Sequence, residues 1–172
     1  MMQTTKNTTA TKAASTRSWL VFILTLGMII FVFRYCIGII IISGNSMAPT
    51  LKDGQILLAN YIAFTLERGD IVIYEDHGMP IIKRVIGLPR ETVGIKNGQV
   101  IINGIPLHEE YTNGLPRDLE PVTIPDDSYF LVGDNRIPGA SRDSRDPSVG
   151  PIEAKRIKGE ALFSIYPFKL IK

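Results

Sequence analysis

Hydrophobic positions follow two regimes along this chain. From Trp19 to Ile42 the sequence is apolar apart from Thr25, Arg34 and Tyr35, and about 20 such residues suffice to cross a bilayer core. The pattern predicts one transmembrane helix over residues 19–42. It is too long for the apolar region of a cleaved signal peptide, and no small-x-small cleavage site comes after it. Arg34 fits such a helix if its side chain snorkels to the headgroups, with Tyr35 as an interfacial ring and the span tilted or shifted inward. Residues 1–18 are rich in Thr, Lys and Ala, contain no acid, and read as a disordered tail. Lys6, Lys12 and Arg17 precede the span while only Lys52 lies closely after it. This asymmetry places the tail in the cytoplasm and residues 43–172 outside a single-pass plasma-membrane anchor.

After Leu51 the period changes to two. Gln55–Ala59, Asp70–Tyr74 and Ile81–Ile86 are short β-rich runs bounded by Gly, Pro or acidic turns, which reads as strands. Asn97-Gly98 interrupts two such runs between Val93 and Ile102 and Asn103-Gly104 comes next, the signature of a tight hairpin and a second turn. Ile105–Pro125 is polar and without period, so a surface excursion is expected there. Order returns at Tyr129–Val132, and Arg156–Pro167 is expected to close the sheet. The fold class is mostly β, with antiparallel sheets forming a coiled barrel or sandwich after one N-terminal transmembrane helix.

Composition narrows the function. With 172 residues, about 130 of them beyond the apolar segment, one catalytic-sized domain with a modest core is expected. The net charge of +2, with bases and acids interspersed, gives no nucleic-acid surface. The single cysteine, Cys36, lies in the apolar segment, so the rest of the chain has no disulfide and no cysteine-based metal site. No metal and no cofactor is called for. Nothing in the sequence speaks to oligomeric state.

Candidate chemistry begins where the apolar segment stops, at Ser43-Gly44-Asn45-Ser46-Met47-Ala48-Pro49-Thr50-Leu51. Gly44 and Pro49 make a bend on which Ser46 is exposed beside the bilayer, although a serine at such a bend is most often only a turn residue. Serine needs a base. There is no Gly-x-Ser-x-Gly elbow, and both histidines, His77 and His108, sit in polar, turn-like stretches, so a lysine comes into view. Lys83 is embedded in Met79-Pro80-Ile81-Ile82-Lys83-Arg84-Val85-Ile86-Gly87-Leu88-Pro89, an apolar run able to strip water from its ammonium and lower its pKa. The ordinary alternative is a strand lysine that snorkels to solvent.

Four ordered segments resemble the boxes of type I signal (leader) peptidases: Ser46–Thr50, Gly69–Val72, Lys83–Pro89, and Gly133-Asp134-Asn135-Arg136 with Ser141-Arg142-Asp143-Ser144-Arg145 after it. The likeness covers nearly the whole chain. It implies a Ser46 nucleophile with a Lys83 general base, a structural Arg84, and a Ser141 hydroxyl that orients the lysine. It also implies a paired Asp143 and Arg145 near the site, with Asp134 in the same loop. For Met47 two readings stay open, core packing or packing near the bilayer-facing surface. Three departures stand out. Ile137–Ala140 separates Arg136 from Ser141 by four residues where about two are usual, an insertion that is cheap in loop entropy. Gly44 stands where many bacterial members have a hydroxyl for the oxyanion hole, leaving the Ser46 backbone amide as first donor and an amide near Gly44 as a candidate second. Arg90 stands where glycine is common.

The resemblance implies an endopeptidase that removes signal peptides from exported preproteins at the outer face of the membrane, its partners being signal peptides and the lipid bilayer. Two rivals are a specialised relative that matures one pilin, conjugation or organelle protein, and a membrane-anchored binding module that kept the scaffold and lost turnover. The joint presence of Ser46 and Lys83 argues against the second.

Overall fold

The structure, a computed structural model, describes residues 7–62 and 64–171, with the side chains of residues 7–15, of residues 33 and 34 and of residues 169 and 170 outside the description. In chain order the elements are α1 (Asn7–Tyr35), β1 (Ile37–Ile41), β2 (Ile56–Asn60), β3 (Ile71–Asp76), β4 (Met79–Gly87), β5 (Thr92–Lys96), β6 (Gln99–Ile102), β7 (Ile105–Pro106), β8 (Leu119–Thr123), β9 (Ser128–Val132), β10 (Ile152–Glu153), a 3-10 turn (Ala154–Arg156), β11 (Ile157–Tyr166) and β12 (Lys169–Leu170). The expected antiparallel β architecture is observed.

The N-terminal expectation is corrected at both ends. Helix begins at Asn7, so the tail is helical well before Trp19; Ala13, Ala14 and Lys12 are good helix formers, and no Gly or Pro stops the helix from extending back through them. Residues 1–6 and the snorkelling expected of Arg34 lie outside the described residues. At the other end Ile37–Ile41 is a strand paired with β2 from Ile37↔Asn60 to Ile41↔Ile56. β-Branched isoleucines pack well on a pleated surface, and here β2 supplies their backbone partners. The apolar helical stretch is therefore Trp19–Tyr35, about 25 Å long at 1.5 Å per residue, against a core of roughly 30 Å. Among the described residues no helix is long and apolar enough to cross a membrane.

The strands form two sheets. The first has the order β1-β2-β11-β3-β4-β9-β10, with β12 added to β11; the second has the order β7-β6-β5-β8. Alternation drives the edges: on β2, Leu57 and Ala59 are buried while their neighbours are not. The central strand β3 is buried on both faces, Ile71 and Ile73 in one core cluster, Val72 and Tyr74 in another. Burying each such side chain contributes about 1.5–3 kcal/mol. A third cluster, with Ile86, Val93, Ile95 and Phe130, joins the two sheets. Asn97 (φ 53) and Gly98 (φ 76) make the β5–β6 turn, as two consecutive left-handed residues require. Arg90 also has positive φ, 71, a conformation that favours glycine.

The excursion expected over Ile105–Pro125 is only partly one. β7 and β8 complete the second sheet, and Asn113 between them bridges to Asn135. β11 closes the first sheet from its middle, between β2 and β3.

The pairing of β4 leaves one of its edges open beside the candidate nucleophile. Its partner β3 runs its whole length, pairing Ile71↔Arg84 through Asp76↔Met79, but β9 pairs only with Arg84, Val85 and Gly87. From Met79 to Lys83 the other edge of β4 has no strand partner among the described residues. Ile40 at the end of β1 and Ile82 of β4 pack against the same cluster as Ile42, Met47 and Leu51, so the sheet coils until the segment after β1 returns beside that open edge.

Candidate active site

The turn that carries Ser46 is held from three sides. Backbone bonds from Ile42 N–H to the Gln55 carbonyl and from Gly54 N–H to the Ile42 carbonyl fix its entry. Gly44 (φ 91) donates its N–H to Asp53 Oδ1 at 2.7 Å. Asn135 donates its backbone N–H to the Ser46 carbonyl (3.0 Å) and its side-chain Nδ2 to the Asn45 carbonyl (3.1 Å). Met47 is buried in the core, which decides between its two readings. With Met47 turned inward and Ser46 half exposed, the hydroxyl faces the open edge of β4.

Lys83 meets it there. Val72 lies opposite Lys83 across the β3–β4 ladder, so the lysine projects on the face that carries Val72, Tyr74, Val85 and Leu131. It is 3 % exposed. Its Nζ has two partners among the described residues, Ser46 Oγ at 2.9 Å and the Ile82 carbonyl at 3.0 Å. Burial pushes its pKa from 10.5 down to about 8; Asp143 raises it, Arg145 lowers it and Asp134 raises it. Desolvation wins because no carboxylate bonds the ammonium directly. His77 and His108 are both highly exposed and lie against Asp76 and Glu110, not Ser46.

The loop after β9 covers this face. Asp143, almost wholly buried, accepts the Gly133 N–H (3.0 Å), the Ser141 hydroxyl (2.6 Å) and Arg145 through Nε and Nη2 (2.8 and 2.7 Å). Burial favours its neutral form, but Arg145 and the Gly133 amide outweigh burial and hold the carboxyl below its ordinary pKa. The orienting bond expected from Ser141 to Lys83 is absent, since the Ser141 hydroxyl donates to Asp143 instead. Despite the insertion Ile137–Ala140, Ser141 stays at the site. A Cβ at Gly133 would collide with Ser141 Oγ and with the Ser46 carbonyl, so only glycine lets the Ser46 backbone and the Ser141 side chain come this close. Ser144 bonds β9, its hydroxyl accepting the Leu131 N–H and its own N–H donating to the Leu131 carbonyl.

Neighbouring Arg84 points the other way. Its Nε and Nη2 grip Asp134 at 2.8 and 2.6 Å, its Nη1 donates to the Gly69 carbonyl at 2.7 Å, and its guanidinium stacks on Tyr111, 3.9 Å from the ring centroid. Tyr111 donates to Glu109 (2.8 Å), which accepts Arg136 in a two-pronged pair (2.9 and 2.6 Å), and Arg136 Nε donates to the Gly133 carbonyl. Sequence reasoning misses Glu109, Tyr111 and Asn113, and it places Asn135 in a box without foreseeing its bonds to Asn45 and Ser46. A Glu-x-Tyr in an aperiodic polar stretch carries no local signal, because its partners come from the loop after β9.

For an oxyanion, the Ser46 N–H has no acceptor among the described residues and is free to donate. The Gly44 N–H is taken by Asp53, which removes it as the second donor. Among the described residues no group of His, Cys, Asp and Glu is arranged to hold a metal ion.

Residues 16–166 match the family described as signal peptidase, peptidase S26. Signal peptidase I of Bacillus amyloliquefaciens is 33 % identical over 99 % of this chain and 98 % of its own length. Signal peptidase I S of Bacillus subtilis is 38 % identical over 74 % of this chain and 76 % of its own. The crystal structure of a signal peptidase I from Enterococcus faecalis is 30 % identical, covering 56 % of this chain and 97 % of that one, with a TM-score of 0.49. By the span of the family match and the identity to the two Bacillus relatives, the chain belongs to the signal peptidase S26 family.

Proposed function

We propose that this chain is a membrane-anchored serine endopeptidase that cleaves signal peptides from exported preproteins, with Ser46 as nucleophile and Lys83 as general base. The observation that carries the reading is the 2.9 Å contact between Lys83 Nζ and Ser46 Oγ in a setting that lowers the lysine to a pKa of about 8. At pH 7 about one molecule in ten then holds a neutral amine, against fewer than about one in a thousand for an ordinary lysine. The neutral amine accepts the hydroxyl proton as Oγ attacks the scissile carbonyl, and the Ser46 N–H donates to the oxyanion. The lysine ammonium passes its proton to the departing amine, leaving an acyl-serine. Neutral again, it draws a proton from the water that hydrolyses this ester. The open edge of β4 at Met79–Lys83 offers main-chain groups to an extended substrate.

Anchoring fits the apolar surface. Trp19–Phe31 of α1 is exposed throughout its large apolar side chains, and Ile39, Ile41, Tyr166 and Phe168 are exposed on the β domain. Ile41 and Tyr166 both lie opposite Ile56, on either side of β2, so they form one row able to dip into the interface and extend a short helical span. The basic N-terminal segment then lies in the cytoplasm and the β domain, from β1 at Ile37, on the outer face of the plasma membrane.

The test uses the full chain reconstituted in vesicles with a preprotein, and sequencing of the new N-terminus. Cleavage at one site, abolished in Ser46→Ala, is expected; cleavage that survives in Ser46→Ala defeats the reading. Protease added to intact spheroplasts is expected to digest the β domain, and protection of that domain reverses the orientation.

A further inference from the structure

The open edge of β4 ends at the reacting groups. Beyond Lys83, β9 occupies it from Arg84 onward, so a substrate strand cannot continue along β4 past the scissile bond. The edge that is open carries Met79, Pro80, Ile81 and Ile82, apolar positions suited to the end of a signal peptide. The residues after the cut must leave the sheet near Gly133, which the Ser46 carbonyl and the Ser141 side chain both approach closely. A cleft of about 390 Å³ opens at Ser141. One wall is the insertion, with Pro138, and the other is the segment before β8, with Arg117 and Asp118; Arg142 and Asp146 stand at its rim. Arg145 and Arg136, which also line it, are neutralised by Asp143 and Glu109. That leaves Arg117 and Asp118, exposed and with no side-chain partner among the described residues, Arg142, 60 % exposed with only a 4.0 Å contact to Asp76, and Asp146, its carboxylate bonded only by Ser148 among the described residues.

We infer that this cleft, walled by the insertion Ile137–Ala140, binds the first residues of the mature protein, a polar extended segment on the leaving side of the scissile bond. The inference rests on the reading of Ser46 as nucleophile and Lys83 as base. The cleft's lining explains the division of labour, since both signs of unpaired charge with good access to water receive a hydrophilic chain and repel an apolar one. The two extra residues build a wall on a loop already pinned at both ends, by Arg136 to Glu109 and by the Gly133 N–H to Asp143.

The test compares peptides with identical residues before the cut and either a single amide or five polar residues after it, using the full chain in detergent micelles. The five residues are expected to raise kcat/KM about tenfold, mainly through KM, and in Pro138→Trp that gain is expected to fall below threefold. A second variant, Arg117→Glu with Arg142→Glu, leaves the wall intact and makes the cleft acidic. Its preference for lysine over glutamate in the five residues is expected to rise at least fivefold over wild type at low salt. No gain in wild type, an equal gain in Pro138→Trp, or an unchanged lysine-to-glutamate ratio in the charge-reversed protein overturns the inference. Failure of wild type to cleave any peptide or preprotein defeats instead the reading on which it rests.

Discussion

Lys83 and Arg84 are adjacent cations on β4, 3 % and 1 % exposed, and they occupy opposite faces. On one face Arg84 is gripped by both oxygens of Asp134, backed by the Gly69 carbonyl and laid over Tyr111. On the other face Lys83 has a hydroxyl and a carbonyl and no direct carboxylate, while the acid that acts on it most, Asp143, is saturated by Arg145, Ser141 and the Gly133 amide. Equal burial thus has opposite consequences. A cation that is fully paired ties the Asp134 loop to β4; an ammonium that is buried and only hydrogen-bonded to neutral groups is pushed toward its neutral form. The difference teaches that depth alone does not make a base. What lowers the Lys83 pKa is depth without a carboxylate in direct contact, Asp143 opposing it only at a distance.

The comparison breaks most sharply at Lys83 itself. Lys83→Arg transfers the permanent charge of the Arg84 face to the reactive face, and a guanidinium cannot accept the Ser46 proton. Preprotein cleavage is expected to fall by roughly three orders of magnitude, within the range of a lost general base; retained turnover removes Lys83 from the mechanism. Next is the opposite intervention, making Arg84 resemble Lys83. Asp134→Ala leaves a buried guanidinium without its carboxylate and is expected to cost about 3–5 kcal/mol in denaturant unfolding, whereas a loss under about 1 kcal/mol means that Tyr111 and Gly69 suffice.

A smaller effect carries the opposite sign. Lys83→Met removes a buried, unpaired ammonium, so stability at pH 7 is expected to rise, by up to about 3 kcal/mol from the displaced pKa, while activity is lost. Wild-type stability has a matching pH dependence. Between pH 8 and 10.5 the unfolded chain keeps the Lys83 proton and the folded chain has released it, so this contribution grows as pH rises through that window and is flat below it. The increment is expected to vanish in Lys83→Met, and equal slopes in the two proteins contradict the assignment. The smallest effects sharpen the comparison through the displaced carboxylate. Asp143 raises the Lys83 pKa and Arg145 lowers it, so Asp143→Asn is expected to move the basic limb of kcat/KM to lower pH and Arg145→Gln to higher pH. Shifts in the same direction exclude control through this pair.

Parts of this arrangement are legible in the sequence and parts are not. Short β-rich runs bounded by Gly, Pro or acidic turns locate β2, β3, β4 and β9 to within a residue or two, because β-branched residues and turn residues state their preferences locally. Asn97-Gly98 announces its turn because few other residues accept two positive φ values. Ile37–Ile41 shows where such reading stops: a short isoleucine run suits helix or strand alike until a partner strand is known, and β2 decides it from 15 (Ile41 to Ile56) to 23 (Ile37 to Asn60) positions away.

The sequence by itself determined the antiparallel β class and the family, through four ordered segments whose residue types are set by local turns and strand faces. It also marked Ser46 and Lys83 as candidates, since a hydroxyl at a bend and a cation in an apolar run are local anomalies. Only the tertiary structure decided that Lys83 reaches Ser46 and that Ser141 serves Asp143 instead of the lysine. It likewise decided that Asp53 occupies the Gly44 amide, and that Glu109 and Tyr111 brace the loop after β9. These are choices among several competing partners for one donor or acceptor. Such competition is settled by distances between segments tens of residues apart, which depend on how far the sheet coils and not on the residues at either end.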